Sequence, residues 1–389
     1  MTTVTCIAPV NIATLKYWGK RDEHLILPLN DSISATLSTD QMHAKTTIMA
    51  SPDFTKDRIW LNGKEESFSN QRLLTCINEI KRRATLGEKG DEKDSKSNWK
   101  VHICSENNFP TAAGLASSAA GYACLVYCLG KVFGVEGDLS SVARLGSGSA
   151  CRSVLGGFVR WHKGDKDDGS DSHASQVVPA SHWPNLKVLI LVVSDNRKKV
   201  SSTSGMQQSV KTSELLKHRV EHIVPKRTEL FIKAIESRNF NTFAELTMKD
   251  SNQFHSVCLD TYPPAVYMND ISHAIVEFVH CYNKSKGTNK VAYTFDAGPN
   301  ACLFLQEEDV GEVVSLIEQA FPPLDNAKDY IRGLEVKRPK AQNDLAVPSG
   351  PHESGLLKYI IHTKIGEGPQ VLTGHNVHLL NKEGLPKSL

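Results

Sequence analysis

Residues 110–121 read PTAAGLASSAAG. The stretch opens on Pro110, carries glycines at 114 and 121, sets Ser117 beside Ser118, and holds no charged residue. Just before it, Lys100–Ile103 alternates like a short strand. From Ser117 small and apolar residues continue to Phe133, long enough for a buried helix. The spacing therefore predicts a strand that runs through a small-residue loop into a helix. The first N–H groups of a helix have no internal partner, and the helix dipole is positive there. Gly and Ala let phosphate oxygens approach the backbone, and serine hydroxyls add hydrogen bonds or reach a metal. The loop reads as a polyphosphate cradle, with a tightly packed helix start as the alternative. It is not a Walker A loop, because G-x-x-x-x-G-K-[ST] is absent, and Gly146-x-Gly148 lacks the third glycine of a dinucleotide fingerprint.

The cradle has no lysine, so its cations must come from elsewhere, and three stretches offer what it lacks. Asn11–Arg21, NIATLKYWGKR, packs Lys16, Lys20 and Arg21 around Tyr17 and Trp18. Lys16 and Lys20 share a face if the segment is helical, and two like charges repel unless an anion lies between them. Gly146–Ser153, GSGSACRS, is a second Gly/Ser turn ending in Arg152, a residue suited to bidentate binding of phosphate or carboxylate. Phe295–Asn300, FDAGPN, puts Asp296 at the end of a buried strand, where a lone carboxylate serves as a general base or an electrostatic element. Two anion cradles, several cations and one acid make the inventory for moving a phosphoryl group by positioning and electrostatics.

A chain of 389 residues is long for one hydrophobic core, so two domains are expected, with a boundary near residue 185. A hydrophobic content of 40% with 23% charged residues fits an ordinary globular protein. A net charge of +2 gives no reason to expect nucleic acid or an anionic membrane as partner. The apolar runs Val188–Val193 and Ala119–Gly130 are too short to span a bilayer, so no membrane insertion is expected. The N-terminal residues do not form a secretory signal, and the expected compartment is the cytoplasm. The final Lys-Ser-Leu only resembles a peroxisomal tripeptide. Nine cysteines without a C-x-x-C pair read as reduced core thiols. Lys187–Ser194, Val291–Phe295 and Leu356–Thr363 read as strands, and Glu214–Val224 and Phe231–Glu245 as helices separated at Pro225. Leu86–Asn98 and the acidic Gly164–Ser172 read as solvated loops, the latter in the wrong register for an EF-hand.

Together these stretches resemble the GHMP kinase superfamily, and within it the mevalonate diphosphate decarboxylases of eukaryotes. The likeness rests on PTAAGLASSAAG, Ala8–Asp22, GSGSACRS, SSTSGM (Ser201–Met206), KDSNQFHSVCLD (Lys249–Asp260) and AYTFDAGPNA (Ala292–Ala301), in that family's order. The resemblance implies a mixed α/β fold of two lobes, the first (1–185) like ribosomal protein S5 domain 2 and binding ATP, the second (186–389) a ferredoxin-like sandwich. The site would lie in the cleft between them. The resemblance also implies a homodimer and an ATP-dependent decarboxylation of mevalonate 5-diphosphate with Mg²⁺.

Carried over residue by residue, it makes Asp296, Lys16 and Arg152 catalytic, with Asp296 beside the substrate 3-hydroxyl. Tyr17, Lys20, Ser147, Ser149 and Arg152 would hold the substrate, and Ser202, Thr203 and Met206 would close over it. Ser105, Asn107, Asn108, Pro110, Gly114, Ser117 and Ser118 would hold ATP, with Ser118 near Mg²⁺. Bacterial members place an arginine at the position of Thr203, and Glu106 is given no role. Two alternatives remain: a GHMP kinase that stops at phosphorylation, and a non-catalytic relative that senses a metabolite. Absence of a G-x-S-x-G elbow argues against a serine hydrolase.

Overall fold

The computed structural model describes residues 1–87, 95–109, 117–194, 199–325, 327, 329–338 and 349–387. Pro110 and Gly114, and most of the Leu86–Asn98 loop, lie outside the described residues. Among the described residues three larger sheets and one two-stranded ribbon, Lys20–Asp22 with Leu27–Pro28, organise the chain. The first has six strands in the order Gln370–Leu372, Thr2–Pro9, His43–Ser51, Lys100–Asn107, Arg58–Leu61 and Lys64–Glu66. The strand expected from Lys100 is thus longer than Lys100–Ile103, and among the described residues its pairing with Arg58–Leu61 is the one parallel contact of that sheet. A four-stranded antiparallel sheet follows, ordered Ala174–Val178, Phe158–Trp161, Ser32–Thr36 and Asn11–Leu15.

The second half builds a five-stranded sheet ordered Val291–Phe295, Ala301–Gln306, Leu186–Val192, Tyr359–Lys364 and Ile331–Gly333. Leu186–Val192 is buried at every residue, as a strand covered on both faces must be. The chain does not end in this half: Gln370–Leu372 returns to pair with Thr5–Ile7 of the first sheet. Leu380 then packs against Met49 and Trp60.

The helix after the loop spans Ser117–Phe133, as its composition predicts. It lies on the strands Thr2–Pro9 and His43–Ser51. Its buried face includes Ala119, Ala120, Ala123, Cys124 and Cys128, small enough to bring helix and sheet close. The Cys124 thiol donates to the Cys6 carbonyl at 3.2 Å and the Cys128 thiol to Val4 at 3.3 Å. All nine cysteines are free, and burial raises most of their thiols, which suits core packing rather than reactivity. In the acidic turn, Asp171 accepts the N–H groups of Asp165 and Lys166, and Asp168 accepts that of Ser170. Its carboxylates shape the turn.

One expected boundary is wrong. Pro225 does not separate two helices. It sits in the first turn of Val224–Glu236, where its missing N–H costs nothing, and a π-turn over Arg219–Ile223 carries the chain into it from Glu214–His218. The real break is Ser237–Asn239, and Asn239 caps the long helix Phe240–Asp260 through Thr242. That helix packs on both Val291–Phe295 and Asn11–Leu15, one strand from each half of the molecule.

Candidate active site

Between the halves lies a cavity of about 530 Å³. Its lining brings together Lys16, Tyr17, Lys20, Ser117, Ser118, Ser147, Ser149, Arg152, Ser202, Thr203, Met206 and Asp296. A second cavity of about 630 Å³ is lined by Ser105, Asn107 and again Ser117 and Ser118, with apolar walls from Ile59, Leu61, Leu73, Tyr122 and Leu125. The two meet at the N-terminus of the helix Ser117–Phe133. Asn108 lines neither. Its side chain accepts the His43 N–H at 2.8 Å and donates to the Gln41 carbonyl at 3.2 Å.

Lys16 reaches the cavity from the end of the strand Asn11–Leu15, not from a helix. The helical face expected for Lys16 and Lys20 does not form, because Gly19 takes φ +87° and the chain turns there into Lys20–Asp22. Both lysines are nonetheless buried and face the same space. Neither is left bare: Lys16 Nζ donates to Asp296 Oδ1 at 2.5 Å, and Lys20 Nζ to Glu23 Oε2 at 2.6 Å. Asp296 closes the buried strand Val291–Phe295 and turns at once, with its carbonyl accepting from Gly298 N at 2.7 Å.

Arg152 is 2% exposed. Its Nη1 donates to Ser32 Oγ at 2.6 Å, and its Nε to Ser34 Oγ at 3.0 Å and Asn11 Oδ1 at 3.3 Å. Its guanidinium lies 5.8 Å from the Trp161 ring centroid. Among the described residues no carboxylate forms an ion pair with it. Burial pushes its pKa down and outweighs the opposing pull of neighbouring groups, the Asp296 carboxylate among them, so the cation is only partly compensated. Such a group calls for an anionic ligand.

Tyr17 packs on Trp161 at 4.6 Å between ring centroids, and its buried hydroxyl has no hydrogen-bond partner among the described residues. Burial raises that phenol well above its ordinary range, so it stays a neutral donor. The same packing fixes Gly148, where a Cβ would sit 2.9 Å from Trp161 and 3.0 Å from the Tyr17 hydroxyl. Ser202 and Thr203 start the helix Ser202–Thr212, capped by Ser201. Residues that the sequence reading missed include Arg72, which adds a cation to the cavity wall, and Asn11, whose amide ties Ser149 and Ser153 to the first strand turn. His255 lies behind the site, 6.2 Å from the Phe295 ring. Burial first, and then the charge of Lys16, bring its pKa down to about 4, so it is neutral.

Two joined cavities, one apolar-walled and one rich in cations, meeting at a helix N-terminus, suit a nucleoside polyphosphate beside a small anionic acceptor. Comparison with known proteins gives the family. The model of the mevalonate 5-diphosphate decarboxylase C-terminal domain matches residues 188–372, and that of the diphosphomevalonate decarboxylase-like N-terminal domain matches 8–174. Diphosphomevalonate decarboxylase of Bos taurus is 54% identical over 388 residues, covering 99% of this chain and 97% of that protein. A crystal structure of mevalonate 5-diphosphate decarboxylase aligns with TM-score 0.87 and 43% identity, covering 100% of both chains. A structure of MDDEF in complex with MVAPP, AMPPCP and magnesium aligns with TM-score 0.74 and 28% identity, over 96% of this chain and 100% of that one. The chain belongs to the diphosphomevalonate decarboxylase family.

Proposed function

We propose that this chain performs the ATP-dependent decarboxylation of mevalonate 5-diphosphate, in the residue roles below. The reaction moves the γ-phosphoryl of ATP to the tertiary 3-hydroxyl, turning a poor leaving group into a good one. The C3–O bond then breaks with its electrons going to the departing phosphate. The bond to the carboxylate supplies the electrons of the new alkene and releases CO₂. Isopentenyl diphosphate, CO₂, ADP and phosphate result.

The single observation that carries this reading is the Lys16–Asp296 pair, at 2.5 Å, in the same cavity as an arginine that has only hydroxyl and amide partners. Asp296 offers one negative charge where a hydroxyl gives up its proton and a carbon becomes electron-poor. Lys16 is the adjacent cation for the phosphoryl group in flight. Arg152, Lys20, Tyr17, Ser147 and Ser149 take the diphosphate and carboxylate, with Ser202, Thr203 and Met206 completing the wall. The apolar-walled cavity suits a purine, and Ser105, Asn107, Ser117 and Ser118 lie along a path for its phosphates.

Among the described residues no three His, Cys, Asp or Glu side chains gather around a metal position. The Ser118 hydroxyl, lining both cavities, fits Mg²⁺, which binds through substrate phosphates and few protein groups. Ser118, at the junction, would hold it, and it would supply charge neutralisation to the phosphates. We also place the protein in the cytoplasm as a homodimer, with a domain boundary near residue 185. Among the described residues no helix is long and apolar enough to cross a membrane.

The test is acceptor choice. Turnover is measured with mevalonate, its 5-monophosphate and its 5-diphosphate at matched concentrations. The reading requires the 5-diphosphate to exceed the others by about a hundredfold or more, since each lost charged contact costs about 1.5–3 kcal/mol. Preference for a shorter acceptor would make the chain a kinase that stops at phosphorylation.

A further inference from the structure

The segment KDSNQFH in the helix Phe240–Asp260 does no chemistry in the scheme above, yet it holds the backbone of Lys16 and that of Phe295, the residue before Asp296. Asp250 is fully buried. Its Oδ2 accepts the Lys16 N–H at 2.7 Å and Arg219 Nη2 at 2.9 Å, and its Oδ1 accepts Arg219 Nη1 at 2.7 Å and Arg227 Nη1 at 2.9 Å. Burial alone would raise this carboxyl, but the two arginines and the Lys16 N–H outweigh it and hold it ionised. Arg219 completes the clamp from the other side: its Nη2 donates to the Lys16 carbonyl at 3.1 Å, which also accepts Asn30 Nδ2 at 3.0 Å. Both polar backbone groups of Lys16 are thus fixed from this helix and its arginine.

The next residue works on the opposite lobe. Ser251 Oγ accepts the Phe295 N–H at 3.0 Å, one residue before Asp296. Asn252 Oδ1 accepts the Tyr293 hydroxyl at 2.9 Å in the same strand. Val291–Phe295 is the edge of its sheet, so the Phe295 N–H has no further strand to bond and finds the helix instead. Successive helical residues diverge by about 100°, so a helix lying between two strands can reach one with Asp250 and the other with Ser251.

We propose that Asp250 and Ser251 are positioning residues that set the Lys16–Asp296 spacing across the two lobes. They act through the backbone and touch no substrate. This rests on the reading that Lys16 and Asp296 work at the reacting hydroxyl. A helix hydrogen-bonded to both sides behaves as a spacer: loosening the bond nearest either residue lets the pair drift while the binding groups stay in place.

The mild substitution Ser251→Ala removes only the bond to Phe295, and it is measured in the full chain beside Asp296→Asn and the double variant. Ser251→Ala is expected to lower kcat about tenfold or more, because small misplacements at a reacting centre are costly. The KM for ATP and for mevalonate 5-diphosphate should stay within about twofold. In the Asp296→Asn background it should lower kcat no further, since the group it positions is already gone. A Ser251→Ala enzyme with wild-type kcat, or an equal loss in both backgrounds, overturns the inference. Wild-type turnover in Asp296→Asn alone overturns instead the reading of Asp296 on which it rests.

Discussion

Replacing Arg152 by glutamine separates what this residue does for the fold from what it does for a ligand. The wild-type guanidinium is 2% exposed and bonds to Ser32, Ser34 and Asn11, all neutral. A cation whose burial outweighs its neighbouring charges costs stability in the empty protein. Glutamine removes the charge and keeps an amide for the hydroxyls, so the ligand-free protein should melt at the same temperature or a few degrees higher. The ligand loses two charge-assisted hydrogen bonds, each worth about 1.5–3 kcal/mol. Taking about 3–4 kcal/mol for the pair, kcat/KM should fall by two to three powers of ten. Lysine should not rescue it, because a point charge does not reproduce the planar fork. The assay is steady-state ADP release at varied mevalonate 5-diphosphate, with thermal melts of the free and substrate-saturated protein. A ligand-free melting temperature several degrees below wild type, with kcat/KM within about threefold, would refute the reasoning and make Arg152 a structural residue.

Three further expectations follow. Asp296→Asn should leave ATP and substrate affinity within a few-fold and lower kcat about a thousandfold, as loss of an acid–base or charge-stabilising group does, and binding titrations beside single-turnover rates check both halves. Gly148→Ala should push on the tilted Tyr17–Trp161 pair, costing about 1–3 kcal/mol in urea unfolding and at least tenfold in kcat/KM; an unaffected enzyme would mean that the site tolerates their displacement. His255 should also make stability depend on pH. Its folded pKa of about 4 lies below the unfolded value of 6.5, so between these the unfolded chain binds a proton that the folded one refuses. Stability therefore falls as pH drops below about 6.5 and levels near 4, by about 3 kcal/mol. His102, His162 and His362 shift in the same direction. Equal urea midpoints at pH 7 and 4.5 would contradict this.

How far the sequence was legible varied with the range of the interaction. Val291–Phe295 and Ser117–Phe133 follow from composition, because a short β-branched and aromatic run and a long run of small apolar residues each leave one reasonable conformation. Local chemistry misled where tertiary contacts decided. Pro225 looks like a stop because prolines usually end helices, but a proline in a first turn is equally comfortable, and only the π-turn before it tells the two apart. Lys16 and Lys20 sit four apart, yet the strand Asn11–Leu15 pairs with Ser32–Thr36 and forbids a helix there. The cations and the acid of the site were readable as residue types that need a partner. Their support was not. Asp250 lies 234 residues from Lys16, and nothing in KDSNQFH names the backbone group that it will hold. The return of Gln370–Leu372 to the first sheet is equally invisible, since three half-exposed residues carry no periodic signal.

The central claim is that one cleft couples phosphoryl transfer to loss of a carboxyl group, and the ratio of two products tests it most directly. The protein is given ATP, Mg²⁺ and mevalonate 5-diphosphate labelled in its carboxyl, and ADP and labelled CO₂ are followed together from the first turnover. The account predicts one CO₂ for every ADP, with both lost together in Asp296→Asn. ADP formed without CO₂ would contradict it, leaving a kinase whose phosphorylated product stays intact.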